Sequence, residues 1–154
     1  MVPSLAAVRA RLYRIGLSYF PAFWSTGGKV TDLAPDFSYA RVKLPLNWRT
    51  RNGMGTTFGG SMYGVVDPVY VVLLTRRLGD GYTVWDRAAE IEFRKPGRST
   101  LYAEFHLPDG EVDEISRSLA PGESCDRVYD VDLVDADGTV HAEIEKTVYV
   151  RRDE

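Results

Sequence analysis

The sequence predicts an α+β domain in which an antiparallel sheet of five or six strands packs against one long helix. Three observations carry that expectation. Apolar and polar residues alternate in five segments after residue 37, the period of half-buried strands. Residues 60–78 place Tyr63, Val65, Val66, Val69, Tyr70 and Leu73 around the whole circumference of a helix, so that helix must be buried on every side. One twisted sheet covers only part of it, which requires the sheet to curl around the helix or a second subunit to cover the rest. The third observation is order: strands follow one another with turn residues between them, and no helix–strand alternation marks a parallel sheet.

The elements follow along the chain. Leu5, Val8, Leu12, Ile15, Tyr19, Phe20 and Phe23 recur at helical spacing over residues 4–26, with Arg9, Arg11 and Arg14 between them. Pro21 kinks or ends this helix, and Gly27-Gly28 terminates it. Its arginines interrupt any signal-peptide apolar region, so export is not expected. A basic amphipathic helix can lie on a membrane surface. The reading taken is that its apolar face packs on the domain or on a partner chain, and membrane contact is not expected. Residues 38–45 follow as a strand with Ala40, Val42 and Leu44 on one face.

The long helix ends at Arg76 and Arg77, where cations meet the helix dipole, and at Gly79 and Gly81. Four strands come after it. They present Ala89, Ile91 and Phe93; then Leu101, Ala103, Phe105 and Leu107; then Tyr129, Val131 and Leu133; and last Ala142, Ile144, Val148 and Val150, with Lys146 breaking that final face. Pro96-Gly97 and Asp137-Gly138 are read as turns between neighbouring strands, the second a strong hairpin signal. The polar stretch 108–126 is interrupted by a short helix expected over Asp113 to Leu119.

Composition bounds the function. A chain of 154 residues, 44% hydrophobic and 27% charged, fits a single domain, 1–154, with residues 1–28 as an N-terminal helical extension. The net charge of −3 leaves no basic footprint for nucleic acid. No run approaches the roughly 20 apolar residues a membrane span needs. The single cysteine, Cys125, allows no internal disulfide, and a cytoplasmic location is expected. It lies in a polar run, and with two histidines in the chain a catalytic Cys–His pair is not expected.

Chemistry concentrates between Asn52 and Asp67. A loop carrying Gly53, Gly55, Gly59 and Gly60 runs into the apolar helix, which holds one carboxylate, Asp67, where a core residue would be expected. An unpaired buried carboxylate costs several kcal/mol, so Asp67 needs a partner or a task. The amides at Phe58, Gly59 and Gly60 fall at a helix N-terminus, which favours developing negative charge. An amide pocket with a carboxylate suggests acyl transfer. Other motifs fit less well: no Gly-Lys-Ser/Thr follows the glycines, they miss the dinucleotide fingerprint by one residue, and Ser61 lacks the second flanking glycine of a nucleophile elbow. His106 and His141 lie on separate strands and are expected to face solvent rather than bind metal.

The pattern Asn52, Phe58-Gly59-Gly60, Asp67 resembles the PaaI-type acyl-coenzyme A thioesterases of the hotdog fold. Their motif is an Asn, then His-Gly-Gly six positions on, then an acidic residue nine positions after the His. Phe58 departs from it by standing where the family has His. The wider stretch, with Asp67-Pro68, Val84-Trp85-Asp86 and Phe93-Arg94-Lys95-Pro96-Gly97, is similar to a thioesterase-like subgroup of the superfamily, and the likeness covers roughly residues 30–151. The resemblance implies a sheet wrapped around a central helix, assembled as dimers or tetramers, that hydrolyses an acyl-coenzyme A. Coenzyme A then enters as part of the substrate, with no separate cofactor and no metal. The same fold without chemistry, a silent acyl or coenzyme A binder, is the alternative.

The resemblance implies roles too. Gly59 would donate its backbone N–H to the thioester oxyanion. Asp67 would attack directly or, preferably, act as general base on water. Asn52 would orient that water or the thioester, Phe58 and Gly60 would border the substrate, and Arg94 and Lys95 would meet coenzyme A phosphates. Gly59 and Asp67 are eight residues apart, about 12 Å along one helix. Reacting atoms must approach to about 3–3.5 Å. One chain therefore cannot supply both groups to one site, and the carboxylate is expected from the partner subunit.

Overall fold

The computed structural model describes residues 4–154. Six strands form one antiparallel sheet: β1 (Lys29–Leu33), β2 (Tyr39–Leu44), β3 (Tyr82–Phe93), β4 (Leu101–His106), β5 (Ser124–Val134) and β6 (Val140–Arg152). Their order across the sheet is β1-β2-β4-β5-β6-β3. The helices are α1 (Leu5–Tyr19), α2 (Pro21–Ser25), α3 (Gly59–Gly64), α4 (Val69–Leu78) and α5 (Asp109–Ser118).

The alternating strands bury the faces their sequences mark. Ala40, Val42 and Leu44 of β2, Leu101, Ala103 and Phe105 of β4, and Val131 and Leu133 of β5 are all within the core. Against them pack Val65, Val66, Val69, Tyr70, Leu73 and Leu74 from the helical segment. Asp137-Gly138 closes the β5–β6 hairpin, with Gly138 at φ 82° and its N–H on the Asp135 carbonyl. Pro96-Gly97 is not a hairpin turn. Strands β3 and β4 are not neighbours in the sheet, so residues 94–100 form a crossover from one edge to the interior. The expected short helix in the polar stretch is a longer one, α5, tied to β5 where the Arg127 guanidinium meets Glu111 at 2.5 Å.

The long helix is two helices. Pro68 has no N–H for the Gly64 carbonyl and its ring cannot follow a regular turn, so the ladder breaks over residues 65–68. The chain tightens there: Val66 N–H bonds to the Tyr63 carbonyl at 2.9 Å, and Pro68 becomes the N-cap of α4. Asp67 sits in this break. Its side chain therefore leaves the helical segment in a direction a continuous helix would not give it.

Within the chain, α1 does not turn its marked apolar row onto the domain. Its inner face reaches β1 through polar groups: the Ser18 hydroxyl accepts the Val30 N–H at 3.1 Å, and the Arg14 guanidinium donates to the Thr31 carbonyl at 2.8 Å. Leu5, Val8, Leu12, Ile15 and Tyr19 face away from the domain and are exposed. Beside the polar contacts Ala10 is buried, Tyr13 and Leu17 pack on the core, and Phe23 of α2 is buried in it.

Candidate active site

Strand β6 presents Ala142, Ile144, Lys146, Val148 and Val150 inward, and all five are buried. Lys146 is fully buried, so its ammonium group must find charge compensation inside the fold. Three groups supply it. Asp67 Oδ1 lies 2.8 Å from Nζ, Asp86 Oδ1 lies 2.7 Å away, and the Tyr63 hydroxyl lies 3.2 Å away. Tyr63 in turn donates to Asp67 Oδ1 at 2.6 Å, closing a ring of contacts. The Asp86 contact is ionic without hydrogen-bond alignment.

Local structure brings these side chains together. Asp67 and Tyr63 are one turn apart on either side of the α3 end, and the proline break turns Asp67 toward β6. On β3 a bulge between Asp86 and Ala88 inserts Arg87, so Asp86 pairs with Val148 while Ala89 pairs with Lys146. The bulge keeps Asp86 on the inward face beside the lysine.

The electrostatics separate the two carboxylates. Burial raises the Asp67 carboxyl, but hydrogen bonds from Lys146 and Tyr63 outweigh it and hold the group below the usual carboxylate range. For Asp86 burial prevails over Lys146, and its carboxyl is raised. Burial opposes the charge on Lys146, yet its hydrogen bond to Asp67 and the nearby Asp86 carboxylate keep its ammonium above the usual lysine range. Asp67 is thus ionised and held at one oxygen: both of its donors reach Oδ1, and Oδ2 accepts no hydrogen bond among the described residues. Its side chain remains 44% exposed.

The loop and helix start form a second locus. Asn52 Oδ1 accepts the N–H groups of Met54 at 3.0 Å and Thr56 at 3.1 Å, and Nδ2 donates to the Thr56 hydroxyl at 2.9 Å. The side chain expected to orient water or thioester therefore pins its own loop, with one amide N–H left over. Thr57 N–H bonds to the Gly97 carbonyl at 2.9 Å and Phe58 N–H to the Thr50 carbonyl at 2.7 Å. The N–H groups of Gly59 and Gly60 meet no acceptor among the described residues. Aromatic rings pack closely on both positions. A Cβ on Gly59 would lie 3.1 Å from the Phe93 ring, and one on Gly60 would lie 2.5 Å from the Phe58 ring.

A cleft of about 390 Å³ gathers Asn52, Gly59, Phe93, Arg94, Lys95 and Arg98. Phe58 and Gly60, expected at the substrate, do not line it, because the Phe58 ring folds back over Gly60 and is half exposed. Arg94 is engaged by Glu92 and Glu143. Lys95 and Arg98 make no ion pair among the described residues. His141 does not face solvent: it is buried behind the cleft, with Nε2 3.0 Å from Asp135 and Nδ1 3.2 Å from the Pro96 carbonyl. His106 is exposed, and no metal-ligating cluster occurs among the described residues.

Asp67 does not line this cleft. One chain therefore holds an amide half with free N–H groups and a carboxylate half at the helix break, as separate surfaces. Lys146 and Asp86 are the residues that sequence reasoning left without a role. The available signal was Lys146 itself, since a lysine in an apolar inward row needs carboxylates nearby.

Comparisons with known proteins place this architecture. The chain is similar in structure to a Pseudomonas aeruginosa protein described as a probable thioesterase, at 19% identity over 92% of this chain and 95% of that one, TM-score 0.77. It is also similar to a Haemophilus influenzae thioesterase (15% identity, 99% and 93% covered, TM-score 0.68) and to the E. coli PaaI protein of the phenylacetic acid degradation operon (16%, 97% and 94%, TM-score 0.63). At such identities the likeness is one of fold, and the fold is the hotdog fold. A family model described as "Domain of unknown function (DUF4442)" matches residues 9–150. No curated protein matches.

The charge cluster yields a stability prediction. Lys146→Met leaves two inward carboxylates without a cation and should cost about 3–5 kcal/mol. Adding Asp67→Asn and Asp86→Asn should recover most of that loss, measured by urea unfolding. A single variant as stable as the wild type would show that the lysine is not the cluster's counter-ion.

Proposed function

The chain belongs to the family described as a domain of unknown function (DUF4442), and we propose from its hotdog fold and the Asp67 cluster that it is a thioesterase acting on an acyl-coenzyme A. One observation carries the reading: Asp67 is ionised and anchored through Oδ1, while Oδ2 accepts no hydrogen bond among the described residues and the side chain is part-exposed. That is the arrangement a general base on water needs, an oriented carboxylate with one free acceptor. Lys146 and Tyr63 set its orientation and charge.

In the proposed reaction Asp67 takes a proton from water, which attacks the thioester carbonyl, and the Gly59 N–H stabilises the oxyanion. Collapse of the intermediate expels the thiolate of coenzyme A. Asn52 acts through the loop it pins. Lys95 and Arg98, with Arg94, offer cations to coenzyme A phosphates at the cleft.

The site is proposed to be shared between two copies. Strand β3 is twelve residues long and pairs only with β6, so its other edge carries unpaired backbone groups. Its inward row is open too, with Phe93 57% exposed, and Val71 of α4 is only half-buried. A second copy along this edge would cover the apolar surface and bring its Asp67 toward the first copy's Gly59.

A silent acyl or coenzyme A binder is the second reading, favoured by the neutralisation of Asp67 by Lys146 and by Phe58 in place of the family histidine. Thiol release from a panel of acyl-coenzyme A esters separates the two. The enzyme reading predicts turnover that falls at least a hundredfold in Asp67→Ala. No turnover across the panel, or equal rates for variant and wild type, favours the binder.

The pH profile tests the base. Because the folded-state carboxyl of Asp67 is depressed, the group stays ionised until the pH falls through that lowered value. The acid limb of kcat/KM should therefore lie below about pH 4, whereas a histidine base would place it near about pH 6.5. A limb near neutrality would remove Asp67 from the role.

A further inference from the structure

Helix α1 is apolar on two sides, with Ala10, Tyr13 and Leu17 packed inward on the domain. Its polar residues Arg14 and Ser18 hydrogen-bond to β1, while Leu5, Val8, Leu12, Ile15 and Tyr19 form a ridge on the opposite side. These five recur at alternating intervals of three and four residues and therefore align along one line of the helix. Exposure of 78% at Leu5, 65% at Leu12 and 64% at Tyr19 leaves the ridge uncovered by the chain. At about 100° per residue, Arg9 and Arg11 fall about 80° to either side of that line. Both are exposed, and α1 and α2 contain no acidic residue.

The apolar surface is broader than the ridge. Leu12, Gly16 and Phe20 also line an apolar groove of about 580 Å³ that runs to Pro68 and Val72 of α4. At the C-terminal end Phe20 and Trp24 are exposed, the Arg49 guanidinium lies 4.2 Å over the Trp24 ring, and the neighbouring Trp48 is 85% exposed. A patch of this breadth marks an interaction site.

We propose that the α1–α2 face docks on an anionic lipid bilayer, with α1 lying in the plane of the interface. Charge selects this occupant over a second copy of the chain. Two ridges packed face to face would offer Arg9 and Arg11 no opposite charge in either orientation, since α1 and α2 hold no acid, whereas coiled coils place opposite charges on those flanks. Anionic headgroups answer both flanks at once, and the ridge enters the acyl boundary between them. The aromatic end fits as well, since Tyr and Trp favour the headgroup level. A single acidic helix would meet the ridge but would leave the groove and the Trp24–Trp48 end uncovered. At 15 residues α1 is about 22 Å long, and no helix among the described residues is long and apolar enough to cross a membrane, so the contact is interfacial.

Co-sedimentation of the full chain with vesicles tests the proposal. Vesicles of phosphatidylcholine with 30% phosphatidylglycerol (roughly a cytoplasmic-leaflet charge density) should bind the protein. Pure phosphatidylcholine should bind it far less, and salt should weaken the anionic binding. Arg9→Gln/Arg11→Gln should lower the partition by about 25-fold, about fivefold per arginine. Leu12→Gln/Ile15→Gln should lower it at least about tenfold. Both variants change exposed side chains and should keep the wild-type melting temperature, so lost binding reads the surface and not the fold. The proposal is overturned if anionic vesicles bind no protein, or if both variants bind as the wild type does. It is equally overturned if Leu12→Gln/Ile15→Gln shrinks the free oligomer while vesicle binding is absent, or if an acidic amphipathic peptide outcompetes the vesicles.

Discussion

A lysine ammonium with no access to solvent can persist in a folded chain only if carboxylates meet it, and the core of this protein is arranged around that demand. Lys146 stands in the inward row of β6 between Ile144 and Val148. From there its Nζ reaches an acid on an edge strand and another at a helix break. Three irregularities that would each be a defect alone follow from it: the bulge at Asp86, the break at Pro68 and the tyrosine hydroxyl inside an apolar helix face. Each delivers one polar group to the lysine. The cluster spans β3, β6 and the helical segment, so the same contacts that neutralise the charge lock the helix onto the sheet.

The cluster also explains how one carboxylate can be both structural and available. Asp67 uses a single oxygen for the lysine and the tyrosine, which leaves the other facing a part-exposed surface. Asp86, raised by burial, lies on the other side of the ammonium. The amide half at Gly59 is built by a different set of constraints: the Asn52 loop, the strand-like contact of Thr57 with Gly97, and aromatic rings packed closely on 59 and 60. Two independently rigid halves, on separate surfaces of one chain, suit an assembly in which two copies complete each other.

Much of this was legible in the residues. Period-two segments located five of the six strands, all but β1, and four of their inward rows are the core, that of β3 being open. The Asn–Gly-Gly–Asp spacing pointed to the fold that the structure has. Long-range consequences were not legible. Spacing along β6 could show that Lys146 breaks an apolar face, but its answer depends on a bulge in β3 and a break in the helix, both tertiary facts. Pro96-Gly97 looks locally like any turn; only the strand order makes it a crossover. His141 reads as a surface strand residue because its partner, Asp135, is reached around the hairpin. For α1 the periodicity was correct, but the row it marked faces away from the domain, because Ala10, Tyr13 and Leu17 pack inward beside the Arg14 and Ser18 contacts to β1.

The central claim is that a working site takes its amide half from one copy and its carboxylate from another. Mixing two inactive variants tests it most directly. Asn52→Ala unpins the loop that sets Gly59, and Asp67→Ala removes the base. Co-expressed under separate tags and purified as mixed dimers, the pair should regain up to one working site per dimer in thiol release from acyl-coenzyme A. Mixed dimers that form and stay as inactive as either parent, while the wild type turns over, would contradict the account.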